Sequence, residues 1–154
     1  MSKLEEYEIN DGTLALISED EENTTVYEDD KIFRVSKGAN EIMEDSCAYF
    51  GSSLAGRQIG TNNLIGVTHK SPVIVEESRE IIFFPTSSPR LTKCSWVSLN
   101  NIEKYYTEGK KVVIEFKNGQ KLRLNLSYGI IDNQILRATR LESVLRGRKS
   151  TKKL

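Results

Sequence analysis

The dipeptide Asn118-Gly119, set between KVVIEF (111–116) and KLRLNL (121–126), constrains this chain more than any other stretch. The two flanks read as strands, and Asn-Gly supplies the two positive-φ residues that a tight hairpin turn uses. An antiparallel sheet is therefore part of the fold.

Further strands are expected on both sides of it. YEI (7–9), TLALIS (13–18), TTVY (24–27) and KIFRV (31–35) are separated by Asn-Asp-Gly and Asp-rich turns and read as an antiparallel meander. IVE (74–76), EIIFF (80–84) and SWVSL (95–99) are β-branched or aromatic runs bounded by Pro72, Pro85 and Pro89.

Two segments switch to the helical period. NEIMEDSCAYF (40–50) puts Ile42, Met43, Ser46, Cys47 and Phe50 on one face, with Asn40 as cap and Gly51 where a helix ends. SYGIIDNQILRATRLESVLRG (127–147) starts at a capping Ser127 and carries Ile131, Ile135, Ala138, Leu141 and Leu145 on one face, with Arg137 and Arg140 turned outward. The expected fold is α+β: a mostly antiparallel β-sheet with one short internal helix and a C-terminal amphipathic helix, in a single domain over residues 1–147. Residues 148–154 are expected to form a basic, disordered tail. From WVSLNNI onward, two strands and a final helix resemble the closing half of a pleckstrin-homology-like domain, a fold that hosts many binding functions.

At 154 residues the chain is long enough to bury about two-thirds of its unfolded surface without disulfides or metals. It has no apolar run near the roughly 20 residues of a membrane span, and its N-terminus is acidic, so a cytoplasmic protein with no membrane partner is expected. Cys47 and Cys94, far apart and without a CxxC pattern, suit two reduced thiols. The zero net charge hides a split: residues 1–47 hold 14 acidic and 4 basic side chains, a net of −10, and residues 48–154 hold 8 acidic and 18 basic, a net of +10. Such asymmetry points to nucleic acid or another anionic surface as partner of the basic part, or to solvated charge on both.

Catalytic patterns are incomplete. GSSLAGRQ (51–58) has the glycine spacing of a P-loop, but Arg57 and Gln58 replace its Lys and Ser/Thr, so nothing would hold magnesium. GSSLA places Ala55 where a nucleophile elbow needs glycine, and the one histidine, His69, is a poor foundation for a triad. A small hydrolase using Ser52 or Ser53 is therefore ranked last. Cys47, His69 and Cys94 are too few and too scattered for zinc, and the acidic runs lack the glycine and terminal Glu of a calcium loop. No catalytic residue, cofactor or metal is expected.

AYFGSSLAGRQIGT (48–61) does offer unobstructed backbone N–H groups, two hydroxyls and Arg57 on a glycine-punctuated turn, all suited to phosphate oxygens. The alternative is that Gly56 and Gly60 only permit tight turns under a packed sheet. Tyr49, Phe50 and Trp96 fit core packing more readily than base stacking.

SCAYFGSSLAGRQIGT (46–61), HKSPVIV (69–75), IIFFPTSS (81–88), CSWVS (94–98) and SYGIIDNQILRATRL (127–141) together resemble the ComK family of bacterial competence transcription factors. The likeness spans roughly residues 5–145. It implies an activator of DNA-uptake genes that binds AT-rich double-stranded DNA, largely through the minor groove, with more than one subunit on a promoter. A narrow, strongly negative A-tract groove attracts arginine and lysine, which the basic part of this chain supplies. RNA polymerase and a proteolytic adaptor are further partners the resemblance raises. Longer family members continue beyond the position of Leu154, and functions carried there are not expected of the residues present. The DNA-binding candidates are Ser52, Ser53, Arg57, Lys70, Arg90, Lys93, Arg137 and Arg140, chosen for charge, hydroxyls and expected exposure. A recognition helix is not expected, since no pair of short helices joined by a tight turn is evident. The runner-up function is a pleckstrin-homology-like module that binds protein or ligand and no DNA.

Overall fold

A computed structural model describes residues 3–91 and 93–152. Strands β1 (Lys3–Leu4), β2 (Thr13–Asp20), β3 (Asn23–Glu28) and β4 (Lys31–Val35) are followed by helices α1 (Ala39–Tyr49) and α2 (Leu54–Ile65). Then come β5 (Val73–Glu76), β6 (Ile81–Pro85), β7 (Trp96–Ser98), β8 (Ile102–Glu108), β9 (Lys111–Phe116), β10 (Lys121–Leu124) and helix α3 (Tyr128–Lys152). The first seven strands form one sheet in the order β1-β4-β3-β2-β7-β6-β5, antiparallel except for β1 against β4. The last three form a second, antiparallel sheet in the order β10-β9-β8. The α+β class is as expected.

Alternation along β6 explains why EIIFF is apolar throughout. Ile81 and Phe83 join a core with Met43 of α1 and with Trp96, while Ile82 and Phe84 join a second core with Ile114 of β9 and Ile131 and Leu141 of α3. At β6 the large sheet is thus covered on both faces, and neither side of that strand can be polar.

Several expectations are corrected. YEI (7–9) is not a strand: Ile9 is buried and donates its N–H to Ser46 Oγ at 3.1 Å, while the Tyr7 hydroxyl bonds Thr13 Oγ1 and Glu28, so side chains replace a ladder. The Asn118-Gly119 turn uses one positive φ, at Gly119 (92°), not two. Phe116 N–H donates to the Gln120 carbonyl and Gly119 N–H to that of Phe116, which makes a three-residue loop with glycine in the left-handed position.

The largest correction is α2. LAGRQIGTNNLI is helical, so there are two internal helices rather than one, and Gly56 and Gly60 lie within the second instead of in turns with positive φ. Two glycines disfavour a helix by about 1 kcal/mol each relative to alanine, which hid it. Its ends hold it: Ser53 Oγ accepts from Gly56 N–H at 2.9 Å, Glu44 Oε2 accepts from Leu54 N–H at 2.9 Å, and Gly66 (φ 74°) closes the C-terminus. The Thr61 hydroxyl, buried, donates to the Pro72 carbonyl at 2.6 Å and fixes the helix beside β5. Helices α1 and α2 are consequently the pair of short helices thought missing, joined by residues 50–53, with Gly51 at φ 84° ending α1 as expected.

Helix α3 does begin under Ser127, whose Oγ accepts from Ile130 N–H at 3.3 Å. It does not stop at Gly147 but continues to Lys152, which replaces the expected disordered tail over residues 148–152; residues 153–154 lie outside the described residues. The extension is anchored, because Lys149 Nζ donates to the Glu77 carbonyl at 2.6 Å and lies 3.6 Å from Glu80 Oε2.

Candidate nucleic-acid interface

Between α2 and two loops lies a cleft of about 740 Å³. Helix α2 lines it with Leu54, Ala55, Gln58, Ile59 and Asn62, the two loops contribute His69, Lys70 and Arg90 among others, and α1 adds Asn40 and Glu44. Spacing explains the helical contribution, since 55, 58, 59 and 62 stand on one face of a helix.

Loop 67–71 is pinned from α3. Gln134, 1% exposed, donates its amide Nε2 to the Lys70 carbonyl at 2.9 Å and to that of Pro85 at 2.8 Å. Arg137 Nη1 donates to the His69 carbonyl at 3.0 Å. Between these bonds Lys70 takes a φ of 50°, a left-handed conformation costing a non-glycine residue roughly 1–3 kcal/mol, which persists where the surroundings dictate it. Loop 86–93 is pinned from α1: Asn40 Nδ2 donates to the Pro89 carbonyl at 2.7 Å, and Asn40 Oδ1 accepts from Trp96 Nε1 at 2.8 Å. Asn40 was expected to cap α1; Gly38 stands at that position and frees the amide for this link.

The eight sequence candidates separate cleanly. Lys70 and Arg90 line the cleft, and Lys93 is exposed on the same loop as Arg90. Arg140 is exposed on α3, one turn beyond the half-buried Arg137. None of these five has a carboxylate within ion-pair distance among the described residues. Six other cations of the basic part do: Arg57, Arg79, Lys104, Arg123, Arg146 and Lys149. The charge left unpaired therefore collects at the cleft, along α3 and on the β8–β10 turns.

Ser52, Ser53 and Arg57 are placed differently. Ser53 Oγ caps α2, and Ser52 is half-buried beside it. The Arg57 side chain is 20% exposed, its Nη1 lies 3.7 Å from Glu77, and its buried Nε has no hydrogen-bond partner. The anticipated phosphate cradle is occupied from within: Glu44 holds Leu54 N–H, and Ser53 holds those of Gly56 and Arg57 through its hydroxyl and carbonyl. A carboxylate already sits where an anion would bind a helix N-terminus.

Burial pushes the Cys47 thiol up to about 11, with Arg57 opposing and Glu44 adding to the shift, which disfavours a thiolate nucleophile at neutral pH. Among the described residues no cluster of three or more His, Cys, Asp or Glu side chains could hold a metal ion, and no helix is long and apolar enough to cross a membrane. The acidic turns at Glu19–Glu22 and Glu28–Asp30 do not contribute to the cleft.

The family model described as ComK protein matches residues 4–150. The chain belongs to the ComK family. A member, the competence transcription factor of Bacillus subtilis (strain 168), is 34% identical over 149 residues, which is 94% of this chain and 78% of that protein. No solved structure matches. In this ComK-family chain Ser53 serves as the cap of α2, its Oγ accepting from Gly56 N–H, and among the described residues no general base is bonded to it. Sequence reasoning missed Gln58, Ile59 and Asn62, although their i, i+1, i+4 spacing was available once a helix is allowed there.

Proposed function

We propose that this chain is a competence transcription factor that binds double-stranded DNA at the cleft between α2 and loops 67–71 and 86–93. One observation carries the reading: among the described residues Lys70, Arg90, Lys93, Arg137 and Arg140 stand on neighbouring elements without a carboxylate within ion-pair distance, while Arg57, beside the same cleft, is paired with Glu77. Unpaired cations on a pinned scaffold suit phosphates, whose positions along a duplex are fixed. The relative's name supports the same assignment.

AT-rich sites, approached largely through the minor groove by more than one copy, are the finer form of the proposal, and the protein would act on the nucleoid in the cytoplasm. Equilibrium anisotropy with a labelled AT-rich duplex tests it. If roughly 6 phosphates are neutralised, affinity falls about 10³-fold between 50 and 200 mM salt. An affinity indifferent to salt contradicts DNA binding and favours the pleckstrin-homology-like reading.

A further inference from the structure

We infer that Gln58, Ile59 and Asn62 on α2 form the element that touches base edges, while the loop cations hold phosphates. The inference rests on the DNA-binding reading above. Three observations carry it. First, the cleft face of α2 is uncharged, and the helix's one ionisable side chain, Arg57, is turned away toward Glu77. Phosphates are thereby directed to Lys70 and Arg90, which leaves the helix facing what lies between the sugar-phosphate strands. Second, neither the Gln58 nor the Asn62 side-chain amide has a hydrogen-bond partner among the described residues, and Ile59 stands 62% exposed between them. Asn62 and Ile59 are exposed and Gln58 is half-buried in the cleft wall. Third, α2 is the second of two short helices joined by a glycine-containing turn, the position from which such motifs present side chains to bases.

This set of groups prefers A·T pairs in either groove. In the minor groove an amide NH₂ donates to adenine N3 or thymine O2, and the isoleucine leaves no room and no acceptor for the guanine 2-amino group. In the major groove an amide pairs with adenine N6 and N7, and isoleucine contacts the thymine methyl. The recognised chemistry is the A·T base edge.

The test compares Gln58→Ala/Asn62→Ala and Ile59→Ala with wild type on AT-rich and GC-rich duplexes of equal length, with thermal melts confirming folding. The expected result is about a tenfold or larger loss of AT-over-GC preference, with the salt slope on GC-rich DNA unchanged. Exposed alanines on a helix keep the fold. Replacing guanine by inosine in the GC-rich duplex restores binding if the minor groove is read; replacing adenine by 7-deazaadenine abolishes the preference if the major groove is read. These two duplexes identify the groove, and the loss of preference in the α2 variants assigns the reading to α2. Equal losses on both duplexes, or none, overturn it. Wild type that binds neither duplex at low salt instead refutes the DNA reading beneath it.

Discussion

Asn40 Oδ1 accepts a hydrogen bond from Trp96 Nε1 at 2.8 Å, and the same side chain donates to the Pro89 carbonyl at 2.7 Å. One amide therefore satisfies an indole at the sheet centre and fixes the loop that carries Arg90 and Lys93.

Asn40→Ala leaves both groups without partners. An unsatisfied buried donor costs about 1–3 kcal/mol, so the variant should melt several degrees lower and also bind DNA more weakly, through loss of loop order. Thermal denaturation and anisotropy on one preparation check both. Unchanged melting would mean that the loop does not depend on this link.

Arg137 and Arg140 should differ in kind. Arg140 is exposed with no ion pair among the described residues, so Arg140→Ala keeps its melting temperature within experimental scatter and reduces the salt slope by about 1. Arg137 also holds the His69 carbonyl, so Arg137→Ala lowers stability as well as DNA affinity. Identical behaviour of the two variants contradicts the pinned-loop description.

The two glycines of α2 separate helix from turn. A Cβ at Gly60 meets nothing within 4 Å, and Gly60→Ala should stabilise the fold by roughly 0.5–1 kcal/mol. At Gly56 a Cβ would stand 3.0 Å from Ser53 Oγ, the capping oxygen, so the gain should be smaller or reversed. Chemical denaturation of both variants checks this; destabilisation by Gly60→Ala would restore the turn reading.

Acid sensitivity should be traceable to Glu76. Burial works to raise its carboxyl, but hydrogen bonds from the Ser78 hydroxyl and from the Arg79 and Ser78 N–H groups prevail and hold it at about 2 against an ordinary 4.5. A lowered pKa contributes stability that is complete above the unfolded value and disappears as pH falls from about 4.5 toward 2. Glu76→Gln should lower stability at neutral pH and flatten its decline over that window, measured by melts from pH 6 to 2.5. Parallel pH profiles would contradict the assignment.

Legibility followed local signal strength. Strands beside a strong turn signal, such as KVVIEF next to Asn118-Gly119, and helices with a wide apolar face, such as α3, were readable because the turn dipeptide and the helical period are local signals. Helix α2 was not, because only Thr61 and Ile65 of its residues are buried and its glycines argue against it; capping and tertiary bonds decide its form. Site residues divided likewise. Exposed cations such as Lys70 and Arg90 could be named from charge, but that Arg57 turns inward to Glu77 depends on how the 76–80 turn packs beside α2, which sequence spacing does not encode.

The salt dependence of DNA binding by Lys70→Ala/Arg90→Ala tests the central claim most directly. Both side chains line the cleft and neither has an ion-pair partner among the described residues. The double variant should fold, bind AT-rich and GC-rich duplexes more weakly alike, and show a slope of log affinity against log salt shallower by about 2. A folded double variant with wild-type affinity and slope would place the DNA interface elsewhere.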